Sequence, residues 1–365
     1  MKYIYQNPDW HKFRWCGEKI QKLLFDIKKA QGYLLGKMDA LGFDVKNNAL
    51  LQVLTENIIK SSEIEGQILD KQAVCSSVAR RLGIDFGGEV SFSRDVDGVV
   101  EMMLDATQNY TDKMTKERLI GWHAALFPTG FSGMYKIKVG QYRDDEFGPM
   151  QVVSGPIGKE KVHYQAPSAD VLEKEMFELI DYINRDNTDC LIKAGVVHLW
   201  FAALHPFDDG NGRIARALTD MLLARSDDTR YRFYSMSAQI QLNRNSYYDI
   251  LEKTQKGSSD ITDWLEWFLK NLLTAIQSSE KTTNAVLYKA EFWQKYSTII
   301  FNKRQIKVLN KFMDDFEGNL TTTKWAKICG CSQDTATSDI NDLIDKNIFV
   351  KVGSGRSTHY RFKKR

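Results

Sequence analysis

LHPFDDGNGRIARAL, running from Leu204 to Leu218, packs a histidine, two aspartates, two glycines and two arginines three residues apart into fifteen positions. The stretch before it, Cys190–Leu204, is apolar and reads as a helix. Pro206 cannot continue that helix, so His205 stands where it ends. Gly210 and Gly212 flank Asn211 in a tight loop, and a second helix opens near Gly212 with Arg213 and Arg216 in its first turns. A helix N-terminus is already positive and carries free N–H groups. Arginines placed there oppose it unless an anion is present. Glycines upstream let that anion reach the backbone, which describes a phosphate loop. The arginines can hold further phosphates through paired hydrogen bonds. Asp209 is suited to a divalent cation bridging phosphate oxygens. His205 can take a proton from an attacking hydroxyl. The reaction class that uses all of these is phosphoryl or nucleotidyl transfer from a nucleoside triphosphate.

The run from His205 through Phe207, Asp209, Gly210, Asn211, Gly212 and Arg213 to Arg216 resembles the signature of Fic-domain enzymes, HxFx(D/E)GNGRxxR, with every fixed position present. The resemblance implies a protein adenylyltransferase that moves AMP from ATP to a Ser, Thr or Tyr hydroxyl of a target protein. It makes His205 the general base and Asp209 the ligand of Mg²⁺ (or Mn²⁺). Gly210, Asn211 and Gly212 would line the anion hole, Arg213 would bind the β-phosphate and Arg216 the γ-phosphate. Phe207 would be a core anchor. Residues 150–166 resemble the family's flap, on which the target's backbone docks by strand addition, and from which Val162 and His163 reach the nucleotide. Tyr247, Tyr248 and Gln255 fall on the helix that lines the adenine side.

A second pattern, SSEIEGQ at Ser61–Gln67, matches the family's inhibitory motif (S/T)xxxE(G/N) through Ser61, Glu65 and Gly66. Ser61 and Glu65 are four apart and share a helix face. The resemblance implies that Glu65 pairs with Arg216 where the γ-phosphate belongs, which makes the enzyme autoinhibited. The same glutamate can instead serve AMP removal.

Around these motifs the chain of 365 residues has room for two or three domains. Hydrophobic residues make up 43% and charged residues 27%, the balance of a soluble globular protein. No stretch approaches a membrane span, and the N-terminus lacks an apolar signal region. The five cysteines are scattered and odd in number, which points to reduced thiols and a cytoplasmic setting. Helices are expected over 15–40, 47–82, 93–110, 115–127, 170–185, 190–204, 213–225, 243–255 and 260–280, with a glycine- and aromatic-rich hairpin region over 130–167. The fold expected is mainly α: a Fic-type helical bundle with a β-hairpin flap. A C-terminal winged helix-turn-helix domain follows it. Its domains would be an N-terminal helical domain over 1–110, a catalytic domain over 111–258, linking helices over 259–300 and the winged helix over 301–365.

Residues 301–365 carry 13 Lys/Arg and 7 Asp/Glu, a net of +6 in a chain whose total is +3. Helix, helix, turn, helix and a hairpin around Gly353–Gly355 spell a winged helix. Its third helix carries Asp334, Asp339, Asp342 and Asp345, which oppose a phosphate backbone, while Lys351, Arg356, Arg361, Lys363, Lys364 and Arg365 gather in the wing and tail. Nucleic-acid binding through that helix is therefore disfavoured; protein docking or target recruitment is at least as well supported, wing-first nucleic-acid contact stays open, and the plainest alternative is packing on the body or self-association. The partners expected are ATP and a target protein, with self-modification and a homodimer left open. Two alternatives remain. One is a nucleotide-sensing winged-helix transcriptional regulator, against which His205 counts because a sensor needs no base. The other is a Fic enzyme moving UMP, phosphocholine or phosphate. A phosphate-transferring relative would replace the second glycine of the anion hole with lysine, and Gly212 is intact.

Overall fold

A computed structural model describes residues 3–39, 42–84, 94–146, 148–156, 158–313, 316 and 318–363, with backbone alone at 43–44, 94, 280–283, 285–287, 290 and 356. By contact the chain divides into two compact units, Met1–Glu280 and Lys281–Arg365. The first holds helices α1 (Gly17–Asp39), α2 (Phe43–Ile64), α3 (Lys71–Leu82), α4 (Arg94–Gln108) and α5 (Lys116–Leu126). Two antiparallel hairpins follow, β1 (Phe131–Ser132) with β2 (Tyr135–Lys136), and β3 (Gln151–Ser154) with β4 (Lys161–Gln165). Then come α6 (Leu172–Arg185), α7 (Cys190–Leu204), α8 (Asn211–Asp227), α9 (Met236–Leu242), α10 (Arg244–Gln255) and α11 (Thr262–Lys295), the last crossing the division between units.

The chain is thus mainly α, as expected, with the flap as its longest β feature in the first unit. α7 is apolar on every side and nearly every residue of it is buried, so it forms the centre of the bundle. α8 packs against it across the turn at 205–210, with Ile214, Leu218, Met221 and Leu222 all fully buried. The loop between the two most buried helices is therefore held from both sides, which fixes the signature residues.

Three expectations need correction. The helix read over 47–82 is two helices, because Gly66 adopts φ +79° and Asp70 caps a new start by accepting from Ala73 N at 2.7 Å. Glu65 consequently sits at the C-terminal boundary of α2 and not within a continuous helix. α9 was not anticipated; Ser235 caps it through Ala238 N at 3.0 Å. The expectation at 260–280 was too short, since α11 continues to Lys295.

The second unit contains α12 (Lys303–Met313), α13 (Thr322–Cys329), α14 (Gln333–Asp345) and the hairpin β5 (Phe349–Val352) with β6 (His359–Phe362). Its core gathers Leu309, Leu320, Trp325, Ile340, Leu343 and Phe349. The charge reading of α14 is also corrected. Asp339 is only 4% exposed and takes two hydrogen bonds from Arg304, at 2.7 and 2.9 Å, and one from Asn302. Asp342 is bonded by Gln305 Nε2 at 2.7 Å and Lys346 Nζ at 2.5 Å. These two carboxylates answer to α12 and to their own helix, so the exposed face carries less negative charge than the count implied. The side chain of Arg356 and residues Lys364 and Arg365 lie outside the described residues. Among the described residues, no helix is long and apolar enough to cross a membrane.

Candidate active site

α7 ends in His205, whose φ of +48° reverses the chain. Its Nδ1 lies 3.3 Å from the carbonyl of Ala202. A carbonyl can only accept, so Nδ1 carries the proton and Nε2 is left free as a base. Burial holds the imidazole below its ordinary pKa; the Ala202 bond offsets this, and Arg143 adds to the lowering. His205 is therefore neutral and able to receive a proton at neutral pH.

Beyond it the loop is closed by Asn211, whose side chain accepts from Phe207 N at 3.0 Å and donates to Phe207 O at 2.7 Å. Asn211 thus spends its amide on holding the loop, and only its backbone faces the mouth of α8. Gly210 caps α8 at φ +83°, where a Cβ would also collide with Phe127. At Gly212 a Cβ would collide with Glu65 Oε1, so that carboxylate rests directly over the helix N-terminus.

Glu65 Oε1 also accepts from Arg216 Nη2 at 2.7 Å. Arg216 is 1% exposed, and its Nε and Nη2 donate to Ser61 Oγ and Ser61 O, both at 2.8 Å. Burial would lower its pKa, but Glu65 outweighs that and the net shift is upward. Arg213 donates to Gln67 Oε1 at 3.0 Å, lies 3.8 Å from Asp209 Oδ2 and stands over the Phe127 ring. Arg213 Nε and Arg216 Nη1 are buried without a hydrogen-bond partner. Buried donors are rarely left so, and these two belong to one cradle. Gly66 turns the chain just beyond Glu65, and Ile64 O is held by Arg244 Nε at 3.0 Å and the Tyr248 hydroxyl at 3.3 Å.

Asp209 keeps a half-exposed carboxylate, bonded by Ser132 Oγ and by Gly210 N at 2.5 Å. Asp208 instead accepts from Lys138 N at 2.8 Å. The hairpin β1–β2 is thereby fastened to the acidic side of the loop. On the other side, Tyr164 of β4 donates to Ala203 O at 2.9 Å. In the flap, Val162 is exposed and faces Val153, while His163 contacts Glu252 Oε2 and Ser154 Oγ, each at 2.6 Å. His163 thus ties the flap to α10.

Two residues expected at the adenine face inward. Tyr247 is 3% exposed, and its hydroxyl pairs with His198 Nε2 at 2.8 Å, with Thr219 behind. Thr219 donates to Ala215 O, so it accepts from His198 Nδ1–H, and Tyr247 donates to Nε2. Gln255 is buried and donates to Ala202 O at 3.2 Å, the same carbonyl that His205 uses. Both are scaffold for α7 and α8 in this structure.

Sequence reasoning missed Ser132, Gln67, Arg244, His123 and Arg143. His123 stacks on Phe207 at 4.1 Å and burial pushes its pKa down to about 4. Gln67 ends the Ser61–Gln67 stretch without belonging to its fixed positions, and the others lie outside both motifs, brought to the loop or to the end of α2 by distant segments.

A family model for the Fic/DOC family matches residues 113–223. A domain of unknown function, DUF4172, matches residues 3–84, and the C-terminal domain of DIP2311-like transcriptional regulators matches residues 313–363. The protein adenylyltransferase fic-1 of Caenorhabditis briggsae is 25% identical over 147 residues, 40% of this chain and 27% of that one. The probable protein adenylyltransferase of Aquifex aeolicus is 24% identical over 113 residues, 29% of this chain and 35% of that one. The chain thus spans about a third or less of the length of these curated relatives. In fold it is similar to a Fic family protein from Desulfovibrio desulfuricans, with a TM-score of 0.57 and 18% identity over 100% of this chain and 99% of that one. It is also similar to a Fic domain containing signaling protein from Bacteroides thetaiotaomicron, with a TM-score of 0.52 and 20% identity over 72% and 97%. With the signature loop, the glycine-capped helix and the flap assembled around His205, the chain carries a Fic domain over residues 113–223.

Proposed function

We propose that this chain is a protein adenylyltransferase that moves AMP from ATP to a hydroxyl of a target protein and is held back by Glu65. One observation carries the reading: the N-terminus of α8 already holds an anion, the Glu65 carboxylate, and still has unmet buried donors on Arg213 and Arg216. A cradle with more donors than its single carboxylate can use suits a chain of phosphates.

In the reaction the target hydroxyl oxygen attacks the α-phosphorus, the bond from that phosphorus to the β-phosphate bridge breaks, and pyrophosphate leaves. The hydroxyl proton passes to His205 Nε2. Backbone N–H groups of Asn211 and Gly212 take the charge that builds on the phosphate oxygens, and Arg213 and Arg216 hold the departing phosphates. Asp209 offers a hard oxygen donor with water access, which fits Mg²⁺ (or Mn²⁺). The ion would neutralise phosphate charge when bound. The target would dock on β3–β4, whose strands pair only with each other among the described residues and so leave an edge open.

The test uses α-labelled ATP with a cell extract and compares wild type, Glu65→Gly, and Glu65→Gly with His205→Ala. Strong labelling of protein in the first variant alone supports the reading. Equal labelling in the double variant removes His205 as the base, and no labelling in any variant that still binds ATP removes the transfer.

A second reading concerns the C-terminal unit. With Asp339 buried against Arg304 and the half-exposed Asp342 paired with Lys346, the exposed face of α14 presents Gln333, Asp334, Thr337, Ser338, Asn341 and Asp345. The likeness of residues 313–363 to the C-terminal domain of DIP2311-like transcriptional regulators supports a regulatory role for this unit, with Lys351, Arg361 and Lys363 of the hairpin and its end as the basic side open to nucleic acid. Gel-shift titration against random duplex at low and high salt decides it.

A further inference from the structure

Arg143 is 4% exposed, and every polar contact of its guanidinium runs to the catalytic loop, the root of the flap, or Asp145. Its Nε donates to His205 O at 2.8 Å and its own backbone N to Pro206 O at 2.9 Å. Its Nη2 donates to Pro167 O at 2.6 Å, just past the end of β4. Its Nη1 pairs with Asp145 Oδ1 at 2.8 Å. Asp145 in turn takes Ala169 N at 2.7 Å and Ser168 Oγ at 3.2 Å. The guanidinium thus joins His205 to Pro167, with Arg143's backbone holding Pro206 and Asp145 holding residues 168–169.

The histidine needs such a hold. Its φ of +48° is a conformation that L-residues with a Cβ seldom keep unless the surroundings fix it. The ring's own bond to Ala202 O, at 3.3 Å, is long. The two bonds from Arg143 to the His205 and Pro206 carbonyls fix the peptide that aims the ring.

We propose that Arg143, backed by Asp145, is the positioning residue that sets His205 and couples it to the target-docking flap. This rests on the reading of His205 as the base. A strand added to β3–β4 loads the flap root at Pro167, and Arg143 passes that load to the histidine. A planar five-donor fork is required, because a single ammonium cannot span the His205 and Pro167 carbonyls and Asp145 together.

The experiment places Arg143→Gln, Arg143→Lys and Asp145→Asn in the Glu65→Gly chain. Each is followed by transfer kinetics across pH and by ring ¹⁵N and ¹³C NMR of labelled histidine. The chain has six histidines, and His205 is assigned by its loss in His205→Ala. For Arg143→Gln, kcat falls about 100-fold, as for a reacting group misplaced by about 1 Å, with the KM for ATP within about twofold. The ring passes from one Nδ1–H tautomer to a mixture. Glu65 is absent from this background, so Arg143 and Asp209 are the charges facing the ring. Removing the cation lets the ring hold its proton to higher pH, and the acid limb moves up with it. Arg143→Lys recovers about tenfold of the loss, and Asp145→Asn, which keeps the fork but frees it, loses about tenfold.

Unchanged tautomer and kcat in a folded Arg143→Gln chain overturn the proposal. So does a loss of rate in all three variants with the ring signals unmoved, since that marks a merely structural contact. If the parent transfers nothing, the adenylyltransferase reading fails, and the ring tautomer in Arg143→Gln still decides for or against Arg143.

Discussion

Replacing Glu65 by glycine removes the carboxylate from the cradle and leaves Arg216 with Ser61 alone. The magnitude follows from the contact. A hydrogen bond to a charged group contributes about 1.5–3 kcal/mol. Here Arg216 is 1% exposed but the Glu65 side chain is 33% exposed, so the lower half of that range applies. About 1.5–2 kcal/mol corresponds to about a 10- to 30-fold gain in affinity for the triphosphate. The same contact stabilises the ligand-free fold, because Arg216 is buried and must lose a partner. The variant is therefore expected to be less stable than wild type by about 1–2 kcal/mol without ligand. Saturating ligand closes the gap, since the tighter binding returns a similar free energy. Glu65→Gln keeps the shape and loses the charge, and its effect should fall between the two.

Calorimetric titration with a non-hydrolysable ATP analogue, with Mg²⁺ and without, reads the affinity. Thermal unfolding over a ligand series reads the crossing of stabilities. If Glu65→Gly binds the analogue no more tightly than wild type, the carboxylate does not compete for the cradle and Glu65 does not restrain the enzyme. If its ligand-free stability is unchanged, the ion pair contributes nothing to the fold and the magnitude has been built on the wrong contact.

Ser132→Ala removes the hydroxyl bonded to Asp209 and should raise the Mg²⁺ concentration for half-maximal transfer about three- to tenfold, with metal-free ATP binding unchanged; titrating the metal at fixed ATP checks it. His163→Ala unties the flap from Glu252 of α10 and removes the cross-strand contact to Ser154, so the KM for the target protein should rise several-fold while ATP affinity holds, which steady-state kinetics separates. Acid should destabilise the first unit. His123 and His198, pushed by burial to about 4 and about 3, stay neutral in the fold while the unfolded chain binds protons below about 6.5. Stability is therefore lost as pH falls through that window, by about 2 kcal/mol each between pH 7 and pH 5. Asp227, raised by burial to about 6, works the other way and returns about 1 kcal/mol. Amide protection in α7, corrected for intrinsic exchange, should fall by the net of about 2–3 kcal/mol, and a flat profile would show these rings are not held neutral.

The signature was legible because its chemistry is local. A helix end, a glycine turn and a helix start occupy Leu204–Leu218, and the two most buried helices fix that turn in place. What sequence could not tell was which atom of a residue does the work. Asn211 reads as an anion-hole residue, yet its side chain is spent on Phe207. Tyr247 and Gln255 lie on the expected helix, but with their polar atoms turned to His198 and Ala202. The residues missed outright come from far along the chain: Ser132 reaches Asp209 across 77 positions, Arg143 reaches His205 across 62, and Gln67 reaches Arg213 across 146. No periodicity encodes such pairings.

One error was avoidable. Ala336, Asp339, Ile340 and Leu343 recur at helical spacing, so Asp339 belonged to the buried stripe and needed a cation behind it. The sign of a charge says nothing of its side of the helix, whereas its phase against the apolar residues does. The restraint proposed for Glu65 shows the same division. The proposed phosphate cradle is written in one contiguous loop, because phosphate binding needs adjacent N–H groups at a single helix mouth. The carboxylate that fills it needs only a short reach from any neighbouring helix, so it leaves no more trace than Ser61, Glu65 and Gly66. A site of this kind is found from its contiguous half, and whatever occupies it must be read from the fold.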